Sequence, residues 1–350
     1  MNNNEGINWG GWFNPLSGYG IVNLEYATAL ERLTGKVSVP WEREVDMIQE
    51  HWGLLTDEQR TLLSKPYTKE RVGIIKTTPQ LFTKLESDFR IGYTMVENTM
   101  IGKRWTELCN QMNAIFVASP YLVKVFKDCG VTVPIRSVKQ GIDSRKFPYI
   151  DRPEKSVFTF GTIGYQDERK NWKDLIQAFC SEFEPFEPVE LVIKNSNKYF
   201  EYMVFNDRRI KILNDKMTFE QITNLYTTFD CFVFPSHAEG SGLPPREAMA
   251  TGLPTILTNW SGLEEVCNPE YNYPIDPIAI DFPDIRGDEQ PGFQARLDVK
   301  ELMYWMRHAY IHKEEGRKKG KKASEYIHKE WNWDVCAKDL LNKVKEVQNE

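Results

Sequence analysis

Apolar residues along this chain recur in two rhythms. Short continuous runs read as strands buried on both faces, and runs of three-and-four spacing between them read as helices. Gly6 to Phe13 opens with an apolar, aromatic run, and after a loop Ile21, Leu24, Ala27, Leu30 and Leu33 mark one face of a helix that stops before Gly35, a residue type that commonly ends helices. Val72 to Ile75, Ile91 to Val96 and Ala114 to Ala118 follow as buried strands with helical patterns between them. Such alternation predicts a parallel α/β sheet.

The rhythm breaks at Phe147-Pro148-Tyr149-Ile150-Asp151-Arg152-Pro153-Glu154, where prolines and charges cluster as in an interdomain linker. It then restarts. Strand-like Val157 to Ile163 precedes a helix over 171–183; Leu191 to Ile193 and Ile210 to Leu213 follow, then a helix over 218–228, a buried strand at Cys231 to Phe234, a helix over 244–250 and a strand at Thr255 to Leu257. Residues 267–297, rich in Pro and Asp, interrupt the pattern and are expected to form a long surface loop. The tail is helical over 299–312 and 334–347, with Trp331-Asn332-Trp333 between. We therefore expect a first Rossmann-like domain over 1–150, a second over 151–333, and a last helix, 334–350, packing back toward the first. Open α/β sheets bind ligands beyond the carboxyl ends of their strands, so two such domains would face a central cleft.

Composition narrows the class. The chain has 350 residues, about right for two ordinary domains. No apolar run approaches the roughly 20 residues that span a bilayer, and Met1 to Glu5 lacks the basic and apolar regions of a signal peptide; a cytoplasmic location is the expectation. The six cysteines show no paired or metal-ligand spacing, and the five histidines form no HExxH-like pattern. Buried reduced thiols are expected. Asp-x-Asp is absent from the sequence, so neither a metal nor a resident cofactor is expected. The net charge of -6 disfavours a polyanionic partner, with one exception: Lys313 to Lys329 crowds several basic residues together and reads as a solvated helix face or a contact for an anionic surface.

The most informative stretch runs from Phe234 to Pro254. A buried strand leads through Gly240-Ser241-Gly242-Leu243 into a helix with proline in its first turn, where no needed donor is lost. Small residues let backbone amides converge, and the helix N-terminus adds positive potential, which together make an anion site. Glu239 and Glu247 flank it. A carboxylate beside an anion site suits a ligand that carries both phosphate and hydroxyls, with Glu239 on the hydroxyls of a sugar and Glu247 on the diol of a ribose. Acidic residues placed only to complement the helix dipole are the simpler alternative.

With these residues the chain resembles the retaining glycosyltransferases of family four, which have the GT-B fold and carry an E-x7-E motif; Glu239 and Glu247 stand at that spacing. Ser17-Gly18-Tyr19-Gly20 resembles the family's N-terminal glycine loop, Ile91 to Glu97 its "GYT.FE" strand end, Val138 to Asp143 with Phe147 its approach to the linker, and Trp331 and Trp333 its terminal tryptophan motif. The resemblance implies that Gly18, Tyr19, Gly20, Ser241, Gly242, Leu243, Glu247, Asn214 and Met217 bind a nucleotide-diphosphate sugar, with UDP or GDP the expected nucleotide. It places Glu239, Lys170 and Arg169 at the reacting centre. The family's arginine shortly after the second domain's first strand is replaced here by Thr162-Ile163, and Arg169 is the nearest substitute. Two cations suit a departing diphosphate that has no metal to neutralise it. Glu97 is placed on the acceptor side; the family's first-domain histidine has no assigned equivalent, His51 lying in a weakly matching region.

The implied reaction is transfer of a sugar to an acceptor hydroxyl with retention, by front-face attack. The acceptor is a glycan, a lipid-linked sugar, a small molecule or a modified nucleic acid. Nucleotide-sugar epimerases share this architecture, and a glycosyltransferase acting on modified DNA bases or a non-catalytic nucleotide-sugar-binding subunit are further alternatives.

Overall fold

The computed structural model describes residues 6–40, 51–196, 207–215, 217–283 and 291–350; the expectation resting on Met1 to Glu5 lies outside them. The chain divides into two compact units. The first holds the described residues of Met1–Gly141, Asp284–Gly292 and Trp331–Glu350; the second holds those of Ile142–Pro283 and Phe293–Glu330.

In the first unit the elements run β1 (Ile7–Gly11), α1 (Gly18–Thr34), β2 (Val37–Ser38), α2 (Asp57–Leu63), β3 (Val72–Lys76), β4 (Phe89–Thr94), α3 (Lys103–Cys109), β5 (Ala114–Val117), α4 (Pro120–Asp128) and β6 (Ile135–Ser137). The strands pair in parallel in the order β2-β1-β3-β4-β5-β6. The chain turns back in direction across the sheet between β1 and β3. Local chemistry sets the helix ends. The Ser17 hydroxyl accepts from the Gly20 N–H at the start of α1, and Gly35 ends it at φ 66°, a left-handed conformation that costs glycine little. Thr56 and Gln59 form a reciprocal capping box on α2.

The second unit runs β7 (Phe158–Gly164), α5 (Trp172–Glu182), β8 (Val189–Asn195), β9 (Ile210–Leu213), α6 (Phe219–Thr227), β10 (Cys231–Phe234), α7 (Leu243–Ala250), β11 (Thr255–Thr258), β12 (Tyr273–Ile275), β13 (Ala279–Pro283), β14 (Phe293–Arg296), α8 (Val299–Ile311) and α9 (Lys313–Glu330). Its parallel sheet has the order β12-β11-β10-β7-β8-β9. Counted from β7, this is the doubly wound nucleotide-binding order, with the topological switch between β7 and β10. Phe160, Leu191, Ile193, Phe232, Val233, Ile256 and Leu257 form its buried core. The stretch Phe147 to Glu154 lies in this unit, where the Arg152 guanidinium donates to the Thr251 carbonyl at 2.7 Å.

The last helix, α10 (Trp333–Gln348), belongs to the first unit. Tyr26 on α1 meets the Trp333 ring edge-on at 5.1 Å and stacks on Trp9 at 5.2 Å. A Cβ on Gly141 would come within 2.8 Å of the Trp331 carbonyl oxygen, so the chain there passes close beneath the tryptophan pair.

Two expectations are corrected. Residues 267–297 are not one long loop: they contribute β12 to the sheet, and β13 pairs antiparallel with β14 as a hairpin. Pro274 and Asp281, read as loop formers, stand inside β12 and β13, and runs of three to five residues are too short to show a period. Nor are all the cysteines buried. All six are free thiols, but Cys180 is exposed and Cys129 and Cys267 are half-buried.

The basic stretch folds as α9, which turns Gly316, Gly320, Ala323, Ser324 and Ile327 inward. A Cβ on Gly320 would meet the Gly252 carbonyl oxygen at 2.1 Å. Several of its cations have acceptors within the unit: Lys322 pairs with Glu270 at 2.9 Å, and Lys319 donates to the Pro269 carbonyl. Gly320→Ala should therefore destabilise the protein by about 1–3 kcal/mol through overpacking, despite alanine's better helix propensity. Lys321→Ala, on the outer face, should change stability by less than about 0.5 kcal/mol. Urea unfolding of both variants checks this, and equal midpoints would refute the packing argument.

Candidate active site

The carboxyl ends of β7 and β10 mark the switch point of the second unit, and the loops that leave them carry the sequence-derived catalytic residues. After β7, Asp167 accepts from the Arg169 N–H at 3.1 Å, and a short 3-10 turn over Glu168–Lys170 ends at Asn171, held at φ 54°. Asparagine tolerates this left-handed conformation better than most residues. The turn directs Arg169 and Lys170 toward the loop after β10.

There, Glu239 is 6% exposed. Its Oε1 accepts from the Arg169 guanidinium at 2.5 Å, the Lys170 ammonium at 2.6 Å and the Ser236 hydroxyl at 2.8 Å. Burial opposes its ionisation, but the Arg169 and Lys170 charges and the bonds from Lys170 and Ser236 outweigh that and hold the carboxyl at about 2. Lys170 also lies 4.8 Å from the Phe234 ring centroid. Arg169, Lys170 and Glu239 thus come together as one buried ionic cluster.

Backbone contacts fix the loop around it. The Arg169 carbonyl accepts from the His237 N–H at 2.7 Å, and Arg169 itself donates to the Ala238 carbonyl at 2.5 Å. The Glu239 N–H donates to the Ser261 hydroxyl at 2.9 Å, and the Gly262 N–H donates to the Glu239 carbonyl at 2.8 Å. Ser261 holds φ 58°, and a Cβ on Gly262 would meet the Gly240 carbonyl oxygen at 2.4 Å. Only a turn of this shape packs so closely under the loop. The hairpin adds a brace from the other side: the Ala295 N–H donates to the His237 carbonyl at 2.9 Å, the His237 Nδ1 bonds the Ala295 carbonyl at 2.7 Å, and its ring stacks on Phe282 at 4.1 Å. Since a carbonyl only accepts, that bond puts the proton on Nδ1. Burial lowers the His237 pKa.

Gly242, at φ 78°, leads into α7 at Leu243. No protein acceptor among the described residues takes the N–H groups of Ser241, Gly242 or Leu243, and donors at a helix start favour anions. The fully buried Arg246 reaches back to the Ser241 carbonyl at 2.7 Å and to its hydroxyl. The next residue, Glu247, accepts from the Tyr226 hydroxyl at 2.8 Å. Burial raises its pKa to about 7, despite that bond and the Arg246 and Lys146 charges. The two glutamates of the spaced pair therefore titrate on opposite sides of the ordinary carboxyl value. Asn214, beyond β9, accepts from Asn195 at 2.9 Å, whose own Oδ1 accepts from the Gln166 N–H at 3.1 Å; Met217 is half-buried just before α6.

Gly18, Tyr19, Gly20 and Glu97 lie in the first unit. Gly18 to Gly20 form the first turn of α1, and Glu97 stands three residues beyond the end of β4 rather than on the strand itself. Sequence reading missed Arg246, Ser261 and His237. Arg246 sits one helical turn after the loop, a spacing that fits a side chain folding back on it; the other two are held by partners far away in sequence and leave no local signal. Among the described residues, no group of three or more His, Cys, Asp and Glu side chains could hold a metal ion, and no helix is long and apolar enough to cross a membrane.

Comparisons with known proteins agree on the class. Residues 154–279 match the family model described as Glycosyl transferases group 1. An uncharacterized glycosyltransferase of Methanocaldococcus jannaschii is 25% identical over 219 residues, covering 60% of this chain and 49% of that protein. The lipopolysaccharide core biosynthesis mannosyltransferase LpsB of Rhizobium meliloti is 29% identical over 155 residues, covering 38% and 43%. The chain thus spans half or less of the length of these curated relatives. Among solved structures, sucrose-phosphate synthase from Thermosynechococcus elongatus superposes with a TM-score of 0.70 at 13% identity over 99% of each chain. Anabaena HepE in complex with UDP and glucose gives 0.65 at 12% identity over 98% of this chain and 100% of that one. Both share the GT-B fold with this chain.

If the cluster is one unit, removing a single member should expose its partners' burial cost. Glu239→Ala should destabilise the protein by about 3–5 kcal/mol, as for other broken buried pairs, and Lys170→Met should cost less. The double variant should cost clearly less than the sum of the two, with a coupling of about 0.5–3 kcal/mol. Denaturant unfolding of the cycle measures this, and strict additivity would dissolve the cluster into independent contacts. Residues 154–279, which carry the cluster and the helix after it, match the Glycosyl transferases group 1 model, within a chain of GT-B fold.

Proposed function

We propose that the whole chain is a retaining glycosyltransferase of the E-x7-E type that moves a sugar from a nucleotide-diphosphate donor to an acceptor hydroxyl. The observation that carries this reading is the Arg169–Glu239–Lys170 cluster beside the N–H groups of Ser241 to Leu243, at the switch point of a nucleotide-binding sheet. The second unit is assigned the donor and the first the acceptor, with Glu97 among the groups that meet it. UDP- and GDP-sugars are the proposed donors: the HepE structures contain UDP or UDP-glucose, and several sequence relatives are named mannosyltransferases. An acceptor glycan is supported by the same relatives' names.

In this reading Glu239 does not attack the sugar. Its Oε1 is already taken by three donors, which leaves Oε2 to accept from sugar hydroxyls. Arg169, Lys170 and the α7 N-terminus lie where charge grows on the departing diphosphate, and stabilising that charge is the main catalytic contribution. The acceptor hydroxyl approaches on the face the diphosphate leaves, whose oxygen takes its proton, so positioning replaces a strong protein base. Glu247 holds the ribose diol. No resident cofactor or metal is invoked.

Thermal-shift screening against UDP, GDP, ADP and their common sugars selects the donor, because a ligand of the native state raises stability by mass action. The anomeric configuration of the product, read by NMR, then tests retention; an inverted product refutes it. Turnover should survive excess EDTA, and loss restored by Mn²⁺ would overturn metal independence. Lys170→Ala should lower kcat by on the order of 10²–10³.

The Glu247 pKa near 7 gives a pH dependence with a definite sign. A protonated carboxyl loses acceptor capacity for the ribose diol, so donor affinity should tighten as pH rises from 6 to 8. The intact nucleotide sugar has no group of its own titrating there. Glu247→Gln should flatten the profile and weaken binding at pH 8, measured by calorimetry. Because the folded value exceeds the ordinary 4.5, this group's contribution to stability is full below 4.5 and declines as pH rises toward 7. An unchanged affinity profile in the variant would remove Glu247 from the ribose.

A further inference from the structure

The first unit has a switch point of its own. Its sheet turns back between β1 and β3, where Gly11 stands opposite Lys76 at the carboxyl ends of the two strands. Lys76 is 1% exposed, and among the described residues its Nζ has no hydrogen-bond partner. Leaving an ammonium dry and unpaired is costly, and salt-bridge partners are the usual remedy; among the described residues none is present for Lys76. What surrounds the amine instead is aromatic: the Tyr19 ring lies 4.0 Å away and the Tyr93 ring 5.4 Å. Tyr19 occupies the first turn of α1, a helix of 17 residues with no acidic side chain in that turn. The N–H groups of Gly18 and Tyr19 have no protein acceptor among the described residues. The Gly20 N–H is satisfied by Ser17. Two backbone donors and one unpartnered amine therefore converge at one end of the sheet, in a region where such sheets bind ligands.

We propose that Lys76 and the N-terminus of α1 form a second oxyanion site, which takes a phosphate or carboxylate carried by the acceptor. Tyr19 is its cover: the ring lies over the amine and turns aside when the anion enters. Unpartnered burial alone lowers the Lys76 pKa to about 7, so the amine is part neutral when the site is empty and takes up a proton as the anion binds. Glu97 lies close enough that, after burial itself, its charge is the next cause of the raised Tyr19 pKa. A carboxylate beside an anion site selects a ligand with hydroxyls near its phosphate, so the acceptor class is a phosphorylated or acidic polyol or sugar. The donor's diphosphate is matched by Arg169 and Lys170 in the second unit, which leaves this cation for the other substrate and moves Gly18 and Tyr19, which the resemblance gives to the donor, to the acceptor. That last step rests on the donor assignment proposed above; the existence of the site does not.

The test uses the full chain and inorganic phosphate as probe, with and without saturating nucleoside diphosphate. Lysines are reductively methylated with ¹³C-formaldehyde, and the Lys76 resonance is assigned by its loss in Lys76→Met. Phosphate should shift that resonance saturably, and nucleoside diphosphate should leave the shift in place. By calorimetry, Lys76→Met should weaken phosphate binding in the nucleotide-saturated protein at least tenfold, while nucleoside diphosphate binds within twofold of wild type; Lys76→Arg should retain the phosphate site. Tyr19→Ala should speed acetic anhydride labelling of Lys76, read by peptide mass spectrometry, and phosphate should slow it. No saturable shift and no protection at Lys76 would overturn the site. A parallel loss of nucleoside diphosphate affinity in Lys76→Met would instead hand the anion to the donor and overturn the acceptor assignment. Failure of the wild type to bind any nucleotide would count against the donor reading alone, since the phosphate arm without nucleotide still reports on Lys76.

Discussion

A buried carboxylate is stable only if its surroundings replace the water it has lost, and Glu239 gets that replacement from one near neighbour and from two cations distant in sequence. Arg169, Lys170 and Ser236 all donate to a single oxygen. Each cation would be costly to bury alone, and the carboxylate likewise. Paired, they fix the loop after β7 against the loop after β10, which are adjacent because the sheet reverses its winding between those strands. The exchange of backbone bonds between Arg169 and residues 237–238 follows from that fixation. So does the geometry of the glycine loop, because the Ser261–Gly262 turn beneath it binds the backbone of Glu239 itself.

The same topological feature governs both units, with different chemical results. In the second, the switch point is filled by an ion cluster whose charges satisfy one another. In the first, it holds an amine with aromatic neighbours and no counter-charge. Close packing makes both arrangements rigid at the strand ends: Gly11 and Gly20 lie where a Cβ would strike Lys76 and Asn14 backbone atoms at 2.5 and 1.8 Å. The side chains that remain to be moved are Tyr19 and whatever a ligand brings. A protein that leaves a dry lysine uncompensated spends stability there, and functional sites are where such exceptions concentrate.

Much of this was legible in sequence because the signals are local. Buried parallel strands show as continuous apolar runs, so the sheet cores were readable to within a residue or two at Val72 to Lys76, Ile210 to Leu213 and Cys231 to Phe234. The spaced glutamates and the Arg169-Lys170 pair were readable because loop, helix start and charge follow one another along the chain. Lys76 was not, since in sequence it is only the polar residue closing a strand; its isolation depends on what packs around it. The hairpin of β13 and β14 was hidden for a similar reason. Its strands are short and half exposed, and only their pairing, together with the grip of Ala295 on His237, makes them structure.

The opposed titration of Glu239 and Glu247 bears on how the reaction can run. They are eight residues apart, one in the loop before α7 and one within it, yet one is held ionised at about 2 and the other rises to about 7. Their neighbours separate them, since Glu239 has two cations in direct contact and Glu247 has a phenol. A carboxylate stabilised that strongly is a poor nucleophile, because the interactions that lower its pKa must weaken as it forms a bond to carbon. Its second oxygen can still accept hydroxyl protons without losing any of the three bonds to the first. A covalent intermediate on Glu239 would give up much of the electrostatic stabilisation that orders the site, whereas front-face transfer leaves the cluster intact through the reaction. Of the two routes open to the proposed function, the physical economy of the site therefore favours the one proposed above, in which Glu239 would bind the sugar and the departing diphosphate would itself receive the proton.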